Sequence, residues 1–153
     1  MVQNINKKSH FTTMQVKVKK NHPDAVIPAY AKHGDACFDL TAVTISTDGY
    51  GNVVADTGLA FEIPWGHVGL VFPRSSVSKT KFCLRNSVGV IDAGYRGSVT
   101  VKFGQWASEG TMYSPGDRVA QMMILPLPTV SFDEVDELSQ TDRGAGGYGS
   151  TGK

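Results

Sequence analysis

The sequence predicts an all-β domain, a sandwich or barrel built of short strands. Three observations carry that reading. Apolar side chains alternate with polar ones over short runs, as Val99, Val101 and Phe103 do against Thr100 and Lys102, which is the period-2 pattern of a half-buried strand. The 17 glycines and 7 prolines sit mostly between such runs, where turns need them. No sequence repeat and no long amphipathic helix breaks the series.

In chain order, residues 1–13 are polar, with Lys7 and Lys8, and read as a flexible N-terminal tail. The domain proper runs over residues 14–130. Gln15 to Lys19 alternates and gives a first strand, with Lys17, Lys19 and Lys20 as a solvated face. Asn21 to Asp24 is turn chemistry, and Ile27-Pro28 bars a helix. Strands are expected over Cys37–Thr41, Val43–Ser46, Val53–Ala55 and Leu59–Ile63, with a turn cluster at Asp48–Asn52. Pro64-Trp65-Gly66 turns the chain into His67–Phe72, a buried strand closed by Pro73. Ser75 to Lys81 is the helical exception, two turns with serine as the N-cap. Arg118–Leu125 is a long apolar run closed by Pro126 and Pro128. Residues 131–153 form an arm, acidic at first and then glycine-rich, with five glycines from Gly144 to Gly152. Such a segment cannot supply a core. Trp65 and Trp106 read as packing residues at turns or strand ends, with the axis of an oligomer as the alternative place for Trp106.

Length and composition narrow the function. A chain of 153 residues is one domain, or one subunit of an oligomer. Its formal charge of +1 gives no bulk field toward nucleic acid or membrane, so an anionic ligand must be caught by placed groups. The two cysteines, Cys37 and Cys83, form no C-x-x-C pair, and His10, His22, His33 and His67 are scattered, which argues against structural zinc. A reducing compartment is the simplest setting, although one disulfide stays open. No apolar run reaches membrane-spanning length and no signal-peptide core is present, so a soluble, cytoplasmic protein is expected.

The chemistry gathers around Asn86 to Gly97. Val88 to Ile91 is apolar and delivers a lone carboxylate, Asp92; a turn, Ala93-Gly94, is followed by Tyr95, Arg96 and Gly97. With the strand at 98–103 this reads as a β-hairpin with Asp92 and Tyr95 near its tip. The plain alternative is that Asp92 and Gly94 only form the turn. Arg74 beside Ser75 and Ser76 combines a forked cation, hydroxyls and free N–H groups, an anion site by geometry, or else an ordinary capped surface helix. Gln121, followed by Met-Met-Ile-Leu, must find a buried partner or face a site. The glycine-rich end carries Arg143, Ser150, Thr151 and a ring, Tyr148. It can wrap a polyphosphate and stack on a base, or simply be a tail. It matches neither a Walker A loop nor a dinucleotide fingerprint.

Five motifs in order make the chain resemble the trimeric deoxyuridine triphosphatases. They are Gly34-Asp-Ala-Cys-Phe-Asp-Leu40, Pro73-Arg-Ser-Ser76, Asn86 to Gly97, Gly116-Asp-Arg-Val-Ala-Gln121 and Arg143 to Gly152, together spanning most of the chain. The resemblance implies a jelly-roll-like β-barrel, a homotrimer with sites shared between chains, and a C-terminal flap over the nucleotide. It implies hydrolysis of dUTP to dUMP and pyrophosphate, with Mg2+ held mainly by phosphate oxygens and water, not by protein ligands. Asp92 then matches the carboxylate that activates the attacking water. Tyr95 matches the ring under the deoxyribose. Asn86 and the backbone of Ser87, Val88, Gly89, Val90 and Ile91 match the reader of the uracil edge, with Tyr148 as its cover. Arg74, Ser75, Ser76, Gln121, Arg143, Gly147, Ser150 and Thr151 match phosphate-holding positions, and Asp39 a supporting carboxylate that orders arginine or metal-bound water. Cys37 stands where the family usually has glycine, and Tyr148 where it more often has phenylalanine, keeping the ring. A dCTP deaminase, which shares the fold, and a nucleotide-reporting regulatory binder are the competing readings. The complete tail argues against the first and the intact Asp92 against the second. A regulatory protein partner is compatible with catalysis.

Overall fold

The computed structural model describes residues 13–147. Within them lie ten strands: β1 (Lys17–Lys20), β2 (Phe38–Thr41), β3 (Thr44–Thr47), β4 (Val53–Asp56), β5 (Leu59–Glu62), β6 (His67–Pro73), β7 (Phe82–Leu84), β8 (Gly89–Ile91), β9 (Thr100–Gln105) and β10 (Arg118–Pro126). One four-stranded sheet has the order β2-β10-β6-β8, a second β3-β4-β9-β7, and β1 pairs with β5 as a ribbon. Every strand pairing is antiparallel. Two such sheets over a common core form a jelly-roll-like sandwich, as the sequence predicts.

The alternation in the sequence maps onto burial. In β9, Val101 and Phe103 point inward while Thr100 and Lys102 face solvent. In the central strand β10, Val119, Ala120 and Met122 are fully buried and pack with Leu40, Val71 and Phe103 in one cluster. Tyr113 lies against Phe82 and Phe103, with ring centroids 5.6 and 5.1 Å away. Truncating Phe103 to alanine here removes about 3–5 kcal/mol. Both cysteines are free thiols.

Four expectations need correction. The stretch around Asp92 is not a hydrogen-bonded hairpin. β8 pairs with β6, whereas β9 pairs with β4 and β7, so residues 92–99 cross from one sheet to the other. The Val99 N–H bonds the Leu59 carbonyl (2.8 Å) and the Thr57 N–H bonds the Val99 carbonyl (3.2 Å), which pulls the chain across. Period 2 identifies a strand but not its partner. Second, the helix is a single 3-10 segment over Ser75–Lys79, capped by extended Arg74 with no side-chain cap bond. It buries no residue, and so short a segment gains nothing from packing that would lengthen it. Third, Trp65 and Trp106 are exposed, at 82% and 67%. Fourth, β7 has no counterpart among the sequence-predicted strands. Beyond Pro126 no strand follows among the described residues, and residues 127–145 lie exposed.

Candidate active site

Asp92 leaves β8 into a tight turn, closed by the Tyr95 N–H on the Asp92 carbonyl at 3.0 Å. The Arg96 guanidinium locks this turn from below, donating to the Ala93 carbonyl at 2.7 Å and the Tyr95 carbonyl at 2.9 Å. Ala93 anchors it in the core. The Asp92 carboxylate is exposed and meets no cation among the described residues. Tyr95 lies beside it, 44% exposed, its hydroxyl donating to the Ser98 carbonyl at 3.1 Å.

Because β8 and β9 belong to different sheets, a cleft of about 320 Å³ opens between them. Its walls include Asn86, Gly89, Val90 and Ile91 on one side and Thr100, Val101 and Lys102 on the other, with Arg85 at its edge. That volume is at the lower end of small-molecule pockets. The approach to it is strained. Ser87 has φ 59, the single positive φ outside glycine among the described residues, and the Val88 N–H turns back onto the Asn86 carbonyl. Left-handed backbone at a serine costs of order 1–3 kcal/mol and persists where its surroundings hold it, as they do around binding sites.

A second cluster gathers at the end of β6. The Asp39 carboxylate accepts from Arg74 Nε at 2.7 Å and from its terminal nitrogen at 3.4 Å, and also from Arg118 at 2.9 Å. Arg74 further donates to the Ser76 hydroxyl at 3.2 Å and the Arg118 carbonyl at 3.4 Å. The Gln121 amide donates to the Pro73 carbonyl at 2.9 Å, which leaves its own oxygen as a free acceptor. So Asp39, Arg74, Ser76 and Gln121 come together as the sequence predicts, and Ser75 opens the 3-10 segment beside them. Cys37, where the first motif departs from its usual glycine, has no left-handed φ. Burial, and then the Asp39 charge, push its thiol pKa up.

Arg118 belongs to this cluster without having been singled out from the sequence. It lies three residues before Gln121, so simple alternation puts the two on opposite faces. The β10–β2 ladder slips between Arg118 and Ala120, a bulge that inserts one extra residue. Val119 and Ala120 both turn inward, fully buried, and Arg118 and Gln121 emerge on the same face.

The two clusters do not meet within one chain. Gly69 pairs with Ile91, so Asp92 lies level with Val68, whereas Arg74 follows the other end of β6. The strand between them, at about 3.3 Å per residue, holds them roughly 20 Å apart. In the tail, Arg143 Nε donates to the Gly146 carbonyl at 3.0 Å within a turn, and Gly147 is exposed. Tyr148, Ser150 and Thr151 lie outside the described residues.

Comparison with known proteins places this arrangement. The family model described as dUTPase matches residues 23–152. The chain belongs to the dUTPase family. It is 40% identical over 143 residues to the deoxyuridine 5'-triphosphate nucleotidohydrolase of Nautilia profundicola, covering 92% of this chain and 100% of that one. To the same-named protein of Wolinella succinogenes it is 37% identical over 147 residues, covering 95% and 99%. Among solved structures, a Staphylococcus bacteriophage 80alpha dUTPase variant with dUpNHpp superposes with a TM-score of 0.81 at 27% identity, covering 92% of this chain and all of that one. A phage phi11 dUTPase variant, described as coordinating a structural Mg(II) ion, gives 0.69 at 25% identity over 81% of this chain and 98% of that one. This dUTPase therefore shares a family and a fold with those proteins. No helix among its described residues is long and apolar enough to cross a membrane.

Proposed function

We infer that this dUTPase hydrolyses dUTP, taken up with Mg2+, to dUMP and pyrophosphate by in-line attack of water on the α-phosphorus. The observation that carries the mechanism is an exposed carboxylate, Asp92, with no ion-pair partner among the described residues, on a locked turn beside a cleft of about 320 Å³. Asp92 orients the water and accepts its proton as the new P–O bond forms. The bond from the α-phosphorus to the bridging oxygen breaks, and pyrophosphate leaves with the electron pair. Asn86 and the backbone from Ser87 to Ile91 read the uracil edge. Tyr95 packs under the deoxyribose and denies space to a 2′-hydroxyl. Arg74, Ser75, Ser76 and Gln121 hold phosphates, with Asp39 orienting Arg74 and Arg118. Arg143, Gly147, Ser150 and Thr151 close on the triphosphate, and Tyr148 covers the base.

Magnesium arrives with the triphosphate. Among the described residues no three His, Cys, Asp or Glu side chains gather to hold a metal, and Asp39 is already spent on two guanidiniums. An ion held mainly by phosphate oxygens and water would spread the charge of the leaving group.

The separation of Asp92 from Arg74 calls for sites completed between chains, hence the homotrimer. The proposed division gives residues 14–130 to the barrel, with 1–13 and 131–153 outside it as the N-terminal tail and the C-terminal arm expected from the sequence. In support, Val130, Phe132, Val135 and Leu138 are 62%, 92%, 56% and 86% exposed along the arm, apolar surface that a neighbour would bury. In the cytoplasm the reaction limits uracil incorporation into DNA and supplies dUMP for thymidylate synthesis.

Incubation with magnesium and separately with dUTP, dCTP, dTTP and UTP tests this. Release of dUMP and pyrophosphate from dUTP alone is the expected outcome, and deamination of dCTP refutes the reading. Asp92→Asn should lower kcat about 10²–10⁴-fold with dUTP still bound. Lost binding instead would make Asp92 a residue of the turn only.

A further inference from the structure

Gly97 has no left-handed φ, so its backbone admits alanine without strain. What forbids a side chain is Tyr95. A Cβ at position 97 would stand 2.4 Å from the Tyr95 hydroxyl oxygen, 2.6 Å from Cζ and 3.1 Å from Cε2. The ring lies directly on the bare glycine, with its hydroxyl on the Ser98 carbonyl at 3.1 Å. Arg96 fixes the turn beneath it through the Ala93 and Tyr95 carbonyls.

We propose that Gly97 is a specificity-determining positioning residue: by lacking a Cβ it seats the Tyr95 ring at the height from which that ring rejects a ribose. The proposal rests on the reading that Tyr95 packs under the deoxyribose. Ordinary contact with a Cβ begins at 3.4 Å, so a methyl at 97 displaces the hydroxyl end of the ring by about 1 Å, a misplacement of the size that can cost 10²-fold in rate. The displaced ring also leaves the Ser98 carbonyl. Because the clash falls on the free end of a partly exposed side chain, the ring moves and the barrel does not.

The test measures kcat/KM for dUTP and for UTP. Gly97→Ala should lower the dUTP preference about tenfold or more, with melting temperature and oligomer mass unchanged. Gly49→Ala, a glycine with no neighbour within 4 Å of its Cβ position, should leave the preference intact. Tyr95→Phe, which removes only the pinning hydroxyl, should lower the preference about threefold. In the Gly97→Ala background it should lower it no further, since the pin is already broken. If Tyr95→Ala abolishes the preference while Gly97→Ala leaves it unchanged, the seating role is overturned and the sugar-sensing role stands. If Tyr95→Ala itself leaves the preference unchanged, the reading of Tyr95 falls and the proposal with it. Should Gly97→Ala fail to fold, an unaltered preference in Tyr95→Phe overturns the pinned geometry by itself.

Discussion

Two inactive variants of this dUTPase should restore each other when mixed. Asp92→Asn removes the carboxylate proposed to orient the water, and Arg74→Ala removes a proposed phosphate ligand together with its pair to Asp39. In one chain these residues sit at opposite ends of β6, with Gly69 opposite Ile91 fixing the register and roughly 20 Å of strand between them. In the proposed shared site, a nucleotide meets Asp92 of one protomer and Arg74 of another. In a cyclic trimer of randomly mixed chains, a site works when its Asp92 donor is an Arg74→Ala chain and its Arg74 donor an Asp92→Asn chain. At equal amounts this holds for about one quarter of the sites. The two proteins are co-refolded, or co-expressed and purified by two tags, and pyrophosphate release from dUTP is followed at saturating substrate. Each parent should run at about 1% of wild type or less, and the mixture at about 25%. A mixture that stays at parental activity, with mixed trimers verified by mass, refutes the shared site. It would mean that Asp92 and Arg74 of one chain serve the same nucleotide despite their separation.

Deleting residues 143–153 should cut turnover about 10²-fold or more while the melting temperature holds, since the described part of that tail is exposed; full activity in the truncated protein would make the segment only a tail. Asp39→Asn should raise the KM for dUTP about tenfold, because it loosens both Arg74 and Arg118, and an unchanged KM would show that the guanidiniums need no support. Asp48 tests pH dependence. The Asn52 side chain first, with the Asn52, Lys102 and Tyr50 donors after it, holds its carboxyl well below the usual carboxylate range. A depressed folded-state pKa contributes stability above the unfolded value, near pH 4, and that stability is lost as pH falls below it. The melting-temperature gap between the protein and Asp48→Asn should therefore be present at pH 7 and shrink steadily below pH 4. A gap constant with pH would place the Asp48 contribution in turn geometry alone.

How much of this was legible in the sequence varies with the physics behind each element. Nine of the ten strands could be read, most of them because burial on one face leaves a period of 2, and their turns because glycine and proline mark them. Partners could not be read. Val88–Ile91 and 98–103 are adjacent in sequence, and adjacency usually means a hairpin, yet pairing was decided by Leu59 and Thr57 far away in the chain. Residue types at the site, Asp92, Tyr95, Arg74 and Gln121, were legible because few chemistries need that set in that order. Arg118 was not, since its direction depends on a bulge that alternation cannot reveal. Gly97 has no role legible in the sequence, since its seat under the Tyr95 ring exists only in three dimensions.

The places where local rules fail independently mark the same region. Ser87 carries a left-handed φ where glycine or asparagine is favoured. The 3-10 segment begins on an arginine with no side-chain cap, although two serines follow at once. The longest strand breaks register between Arg118 and Ala120, and Asp92 is held rigidly with no cation to meet. Each departure has a cost, and neither the core nor the ladders gain from it. What they have in common is direction. The bulge and the uncapped arginine aim Arg118, Arg74 and Gln121 at one end of the β6 sheet. The Ser87 turn opens the cleft along β8, and the locked turn presents Asp92 and Tyr95 beyond it. Strain concentrated at the two ends of one strand is what the proposed split site requires, because in it each protomer holds half of a nucleotide's contacts in place before the other half arrives.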